Sequence, residues 1–339
     1  MGRKPQTKVG IVEAAYAPAG SEVAWLQGIV DSAAPHLSEG LGAAAYIYRA
    51  ERSAVRIGAR VSNQLQCPLD DFTLPVETLP PEFIDQTWCS LSFGICSEGW
   101  NHHVATLAEM PQSRAVYRAG IRDIININAY DASGFGVCLT APLPVERRPR
   151  PGEAETWTRI ATHLASAFRL MRRGRLAASP ETATAVLDPQ GRLEHASNDE
   201  TADRVRSTLQ KAVLRMERAR GSMRHSDPDG AVGMWRTLVN AEFTLLDHFE
   251  RGGKRYVVAI ENPPEEGIGL AALPARERQV LAAAASGRSN KLIAYELGLA
   301  HSTVRVLLAR AARRLDATSR KELIAIYCAL ERAGQGGSS

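Results

Sequence analysis

Ser289-Asn-Lys-Leu-Ile-Ala-Tyr-Glu-Leu-Gly-Leu-Ala-His-Ser-Thr-Val-Arg-Val-Leu-Leu-Ala-Arg310 is the stretch whose reading decides the C-terminal fold. Ser289 is placed to cap a helix over Asn290 to Leu297, with Ile293 and Leu297 turned inward. Gly298-Leu-Ala then makes a three-residue turn, and Ser302 is expected to cap a further helix, Thr303 to Leu315. Along that helix Val304, Leu308, Ala311 and Leu315 share one side, while Arg305, Arg310, Arg313 and Arg314 fall mostly on other faces. A helix held tightly against its predecessor, with arginines outside, is what entry into a major groove requires: its N-terminal end approaches base edges while its neighbour braces on the backbone.

Working outward, the same helical period continues on both sides. Upstream, Ala275 to Ser286 buries Val280, Leu281 and Ala284, and Gly287 ends it because glycine accepts the left-handed conformation of a helix stop. Downstream, Ser319-Arg-Lys-Glu322 forms a capping box for a fourth helix through about Glu331. From Leu270 to Ser339 there are 11 Lys or Arg against 5 Asp or Glu, whereas the whole chain has 41 against 37. A basic tail on a near-neutral body suits a module that meets phosphate.

Four segments together carry a family resemblance. Leu273-Pro-Ala-Arg-Glu-Arg-Gln-Val-Leu, Ala285-Ser-Gly-Arg-Ser-Asn-Lys, Ile293-Ala with Leu297-Gly-Leu, and Ser302-Thr-Val-Arg closely resemble the LuxR/GerE-type DNA-binding domain. The resemblance covers about 65 residues. It implies that Arg305 and Val306 enter the major groove and that Arg310 makes a further base or phosphate contact. Ser289, Asn290, Lys291, Ser302 and Thr303 correspond to the set that anchors the DNA backbone, and Glu277 to an acidic residue that helps fix the first two helices. Pro274 stands where the family often has a capping Thr, Leu307 where it often has His, and Arg305 where Lys is common. The arginine keeps the charge and adds a fork suited to guanine.

What the resemblance implies for the whole chain is a bacterial-type transcription regulator of double-stranded DNA, without catalysis or cofactor. A homodimer is expected, since half-sites one turn apart suit a two-fold symmetric protein. RNA polymerase and a small-molecule effector are the further candidate partners. A sigma subunit uses a similar helix-turn-helix, but the upstream region lacks the helical, aromatic-rich pattern of a promoter-melting domain. A protein-interaction module with a degenerate helix-turn-helix is a rival reading, against which the intact arginine face stands.

The remaining chain reads as α+β, so the expected fold class is α+β multidomain with an all-α four-helix tail. Residues 8–175 resemble a GAF-type domain, with Gly134-Phe-Gly-Val-Cys-Leu as central strand, and Ala44-Ala-Tyr-Ile-Tyr is another strand-like run. A helix from about Gly152 to Arg172 follows. Its Trp157, Ile160, Leu164, Phe168 and Met171 mark one stripe, which packs on the domain or pairs with a copy of itself. Residues 181–262 are similar to a reduced PAS-type unit: a hairpin across Asp188-Pro-Gln-Gly, a charged helix Asp203 to Arg220, a polar loop Ser222 to Gly230, and strands Phe243 to Glu250 and Arg255 to Glu261 joined across Arg251-Gly-Gly-Lys. Residues 263–272 read as a linker before the helix-turn-helix domain at 273–333.

Several function classes lack their signatures. Lys8-Val-Gly-Ile-Val-Glu-Ala-Ala superficially resembles the first strand of a phosphoreceiver, but no acidic pair follows it. There is no GxxxxGK[ST] loop, and the Trp/Tyr/Asp pattern of an acyl-homoserine-lactone pocket is missing. No apolar run approaches the roughly 20 residues of a membrane span, and no signal-peptide pattern follows Met1, so a cytoplasmic location is expected. The five cysteines never occur as CxxC and read as reduced thiols. The richest chemical cluster is Trp88, Cys89, Cys96, Trp100, His102 and His103. It offers a haem, metal or thiol-based sensor, or an enzyme, as the alternative function, against the plainer reading of buried packing.

Overall fold

The computed structural model describes residues 7–51, 54–73, 76–77, 88, 92–100, 114–130, 135–172, 174, 183–197, 199–235, 243–249, 254–261, 273–315, 317 and 319–335. The chain divides into two compact units. One comprises Met1–Ala177 and Arg218–Met234, the other Ala178–Glu217 and Trp235–Ser339. Residues 181–262, read above as one block, are thus shared between the two.

In the first unit an antiparallel sheet has the order β2-β1-β5-β4-β3, from β1 (Ala43–Glu51), β2 (Ala54–Asn63), β3 (Ser92–Ile95), β4 (Asp123–Tyr130) and β5 (Phe135–Leu143). The run expected as the central strand is β5, and it does sit in the middle of the sheet. Helices α1 (Lys8–Tyr16), α2 (Glu22–Leu37) and α3 (Glu153–Arg172) pack together, with α2 on β1 and β2 and α3 on β4 and β5. Trp25 of α2 stacks on Phe168 of α3 at 5.7 Å between ring centroids, and its indole donates to the Ala15 carbonyl at 2.8 Å.

Two expectations need correction in this unit, and the run whose likeness to a phosphoreceiver strand was superficial, Lys8–Tyr16, is a helix: Val9, Val12 and Tyr16 recur at three- and four-residue steps, as do Ile11 and Ala15, and all are buried. The stripe drawn on α3 was too narrow, because every residue from Ile160 to Phe168 is buried. With that surface consumed inside its own unit, the helix is not available to pair with a copy of itself. The polar loop at Ser222 to Gly230 is instead a helical turn, Met223–Ser226, followed by α5 (Pro228–Met234). Asp227 starts α5 by accepting from the Gly230 amide at 3.0 Å, ahead of a proline whose missing N–H costs nothing at a helix start.

That returning segment is tied to α1 by charge. Lys8 pairs with Asp229 at 2.7 Å, and Arg224 forks onto Glu13 at 3.2 and 3.0 Å. At the start of α3, Arg147 donates two bonds of 2.8 Å to Glu153. Burial pushes the Glu153 carboxyl up, but Arg147 and the Arg150 amide more than offset this and hold it below the usual carboxylate range.

On one face of the sheet Tyr46, Tyr48, Trp88 and Cys138 form a buried cluster. Tyr48 donates to the Trp88 carbonyl at 2.9 Å and the Trp88 indole donates to the Tyr46 hydroxyl at 3.1 Å. Gly136 lies opposite Tyr48 in register, and a Cβ there would stand 2.2 Å from the ring. With Tyr48 only 1% exposed the ring has nowhere to go. Gly136→Ala is therefore expected to lower stability by about 1–3 kcal/mol. Chemical denaturation is the check, and an unchanged midpoint would show the ring to be less confined than its packing indicates.

The second unit has an antiparallel sheet of order β7-β6-β9-β8, built from β6 (Ala185–Leu187), β7 (Leu193–Ala196), β8 (Phe243–Phe249) and β9 (Arg255–Glu261). Both expected strand pairs form. The first turns at Gly191, whose φ of 77° suits glycine, while residues 250–253 of the second turn lie outside those described. The charged helix begins at Asp199, earlier than expected, and α4 (Asp199–Arg220) carries Glu217, which pairs with Arg255. The expected linker at 263–272 also lies outside the described residues.

Candidate nucleic-acid interface

Four helices follow Leu273: α6 (Ala275–Ala285), α7 (Asn290–Glu296), α8 (His301–Arg314) and α9 (Arg320–Gln335). Leu273, Val280, Leu281, Ala284, Ile293, Leu297, Val304, Leu308, Ala311, Leu323 and Tyr327 make their shared core. Gly287 and Gly298 close the first two helices with φ of 78° and 64°, as glycine stops should. The Ser289 hydroxyl accepts from the Leu292 amide at 3.2 Å, confirming it as a cap. The Ser319 hydroxyl accepts from the Glu322 amide at 3.2 Å, one half of the expected capping box.

Helices α7 and α8 meet at a bend of 109° across Leu297 to Ala300. That lies within the roughly 90–120° of a helix-turn-helix. The turn is shut by the Leu299 amide donating to the Ala294 carbonyl at 2.9 Å. It brings the chain into helix at His301, so the expected cap was misplaced. Ala300 is the N-cap, without a side-chain bond, and Ser302 is already helical. The first backbone bond of α8 runs from the Val304 amide to the Ala300 carbonyl, which leaves the amides of His301, Ser302 and Thr303 without intrahelical partners.

Seven of the eight residues named from sequence are exposed, and Asn290 is half-buried. On α8, Ser302, Arg305, Val306 and Arg310 lie away from the side that carries Val304, Leu308 and Ala311, and Val306 is 47% exposed. Ala309 and Arg313 extend the same outer surface. Leu307, one of the departures noted above, joins the core. The Asn290 side-chain oxygen is taken by Arg320, which also donates to the Arg288 carbonyl at 2.8 Å. Only the Asn290 amide group is then left to donate to a phosphate.

Two ion pairs brace this surface, and sequence reasoning found the role of neither. Arg288 Nε and Glu296 Oε2 lie 3.1 Å apart with side chains only 7% and 3% exposed. Glu277 was expected to fix the first two helices, but its carboxylate, 4% exposed, stands 3.1 Å from Arg314 Nε and so ties α6 to the end of α8. In both pairs the contacting atoms are close without the alignment of a hydrogen bond, so attraction between charges carries them. Tyr295 adds a further anchor, donating to the Trp235 carbonyl at 2.9 Å.

The Cys/His cluster has a different character. Cys89, His102 and His103 lie outside the described residues. Cys96 is buried and accepts from the Asn126 amide at 3.3 Å, while Cys138 bonds the Asn126 oxygen at 3.8 Å. Burial pushes the Cys96 thiol well above its ordinary range, helped by the nearby Asp123, and pushes Cys138 up to about 12. Both thiols are protonated at neutral pH and poor nucleophiles. No group of three His, Cys, Asp or Glu that could hold a metal ion occurs among the described residues. No single helix among them is long and apolar enough to cross a membrane.

Residues 271–327 match the family model described as bacterial regulatory proteins, luxR family. No curated protein matches the chain. Among solved structures, the crystal structure of Escherichia coli SdiA aligns over 91% of this chain and 91% of its own, at 11% identity and a TM-score of 0.29. At that TM-score the alignment lends no support to any particular fold. The bent helix pair, its exposed arginine surface and the family match converge: residues 271–327 are a DNA-binding domain of the luxR family, and the chain is a DNA-binding transcription regulator.

Proposed function

We propose that this regulator reads double-stranded DNA with α8 in the major groove, Arg305 supplying a bidentate contact to guanine and Val306 an apolar contact to a thymine methyl. The observation that carries the reading is the exposed surface of α8, set at 109° to α7 with its apolar side sealed in the core. Arg310 lies one turn further along and contacts a base or the backbone. Ser289, Asn290 and Lys291 at the start of α7, with Ser302 and Thr303 in the first turn of α8, hold the phosphates. The unpartnered amides of that first turn and the positive end of the helix dipole favour an anion there.

The domains are a GAF-like sensor at 8–175, a small PAS-like unit at 181–262 whose residues 218–234 belong to the first compact unit, a linker at 263–272 and the DNA-binding domain at 273–333. An effector bound on the Tyr46–Trp88 face of the first sheet would satisfy Asn128, which shares that face with Cys138. Asn128 is 1% exposed, and both of its side-chain polar atoms lack a hydrogen-bond partner. The protein works in the cytoplasm as a homodimer, contacts RNA polymerase from its operator and carries no catalytic activity.

Selection of DNA from a random pool with the full-length protein, at a stated moderate salt concentration, tests this reading. A palindromic consensus with half-sites about one helical turn apart is expected. Enrichment of no sequence, in the presence and absence of cell extract as a source of effector, would overturn it.

A further inference from the structure

Helix α4 has one buried side and one uncovered side. Leu209, Val213 and Met216, four and three residues apart, turn inward and are at most 2% exposed. Gln210, Lys211, Leu214, Arg215 and Arg218 are exposed on the other side. Lys211, Arg215 and Arg218 follow one another at steps of four and three residues, so their charges form a single stripe about 10 Å long. We propose that this stripe lies along the phosphate backbone of the DNA flanking the operator and extends the regulator's contact beyond α8.

Three observations favour DNA as the occupant. The charges are unspent: among the described residues no carboxylate or other partner engages the side chains of Lys211, Arg215 or Arg218. Glu217, the one acidic residue from Ser207 to Arg218, stands off the stripe and pairs with Arg255. Three like charges with no carboxylate among them suit a polymer that presents phosphates continuously, whereas a protein surface mixes both signs. The apolar content of this side points the same way. Helix α4 carries no aromatic residue, and Leu214, 46% exposed, is an isolated surface leucine and not the aromatic anchor on which a protein interface turns. Finally, Lys211 and Arg215 belong to the compact unit that also holds the helix-turn-helix. Once α8 sits in its groove, the flanking duplex is present at a high effective concentration, and contacts too weak to bind alone add to affinity. That last point rests on the reading of α8 as the helix that enters the groove.

The test is binding of the full-length protein, over a series of salt concentrations, to two duplexes carrying the selected operator: one trimmed to it, the other extended on each side by about 20 random base pairs. The wild type should bind the extended duplex more tightly and with the steeper salt dependence. A triple variant, Lys211→Gln with Arg215→Gln and Arg218→Gln, changes exposed side chains and should keep the wild-type melting temperature. On the extended duplex it should bind about fivefold or more weakly and lose about two to three released counterions from the salt slope, with the trimmed duplex unaffected. The charge-conserving triple, Lys211→Arg with Arg215→Lys and Arg218→Lys, should bind both duplexes as wild type, because a phosphate contact needs the charge and not the shape of the side chain. Wild-type affinity and slope in the glutamine variant, or an equal loss on both duplexes, would overturn the proposal. So would unchanged DNA binding with reduced transcription in vitro, which would assign the stripe to an acidic protein surface. Binding of the trimmed duplex by the wild type in those cases leaves the regulator reading intact, whereas binding of neither duplex would overturn both.

Discussion

Replacing Arg305 by alanine is expected to cost about 1–3 kcal/mol at the cognate operator and to relax the base preference at one position of each half-site. Arg305 is the fifth residue of α8, within its first two turns, and its side chain is exposed on the flank of the buried side that carries Val304 and Leu308. A residue so placed reaches base edges once the N-terminal end of the helix enters the groove. Arg305→Lys should keep the general affinity and lose much of the discrimination, because an ammonium is a point charge without the planar fork. Lys291→Ala is the contrasting variant. Exposed at the start of α7, it should weaken every sequence about equally and reduce the salt dependence by about one released counterion. Binding curves on cognate and scrambled duplexes at several salt concentrations distinguish the roles, and equal, sequence-independent losses for both variants would refute them.

The second large effect concerns folding of the same domain. Arg288→Met is expected to destabilise it by about 3–5 kcal/mol, because Glu296 would be left charged and buried without its partner. The pair has little exposure on either side, so water cannot take the place of the lost guanidinium. Converting both members, Arg288→Met with Glu296→Met, removes the stranded charge and should recover most of the loss. Thermal unfolding of the three proteins, with operator binding as a second readout, gives the comparison. A single variant as stable as wild type would mean that the carboxylate finds another partner or takes up a proton.

Much of the DNA-binding domain was legible because its signals are local. The cap at Ser289, the stops at Gly287 and Gly298 and the apolar period of α6 to α8 each act over one or two turns. The hairpin turning at Gly191 was readable for the same reason. Where two local readings competed, the sequence was insufficient. Ser302 looks a better cap than Ala300, yet closure of the turn by Leu299 onto Ala294 starts the helix before Ser302 can serve. Asp227-Pro228 is a helix start of ordinary chemistry, hidden in a run of polar residues that reads as loop.

The amino-acid sequence by itself determined that the chain ends in a helix-turn-helix with an arginine-bearing outer surface, since capping, glycine conformation and helical period are properties of neighbouring residues. Tertiary structure decided what those residues face. It buried α3 on all sides between Ile160 and Phe168, which no single apolar stripe foretells, with His163 against the Tyr16 hydroxyl at 3.4 Å. It joined Arg288 to Glu296, charges that a sequence alone assigns to solvent, and it set Glu277 against Arg314 at the far end of α8. It also gathered Arg49, Arg56 and Arg172 around one cleft. The physical reason is common to all three: burial and electrostatic pairing depend on distances between residues remote in the chain, and only the packed fold sets those distances.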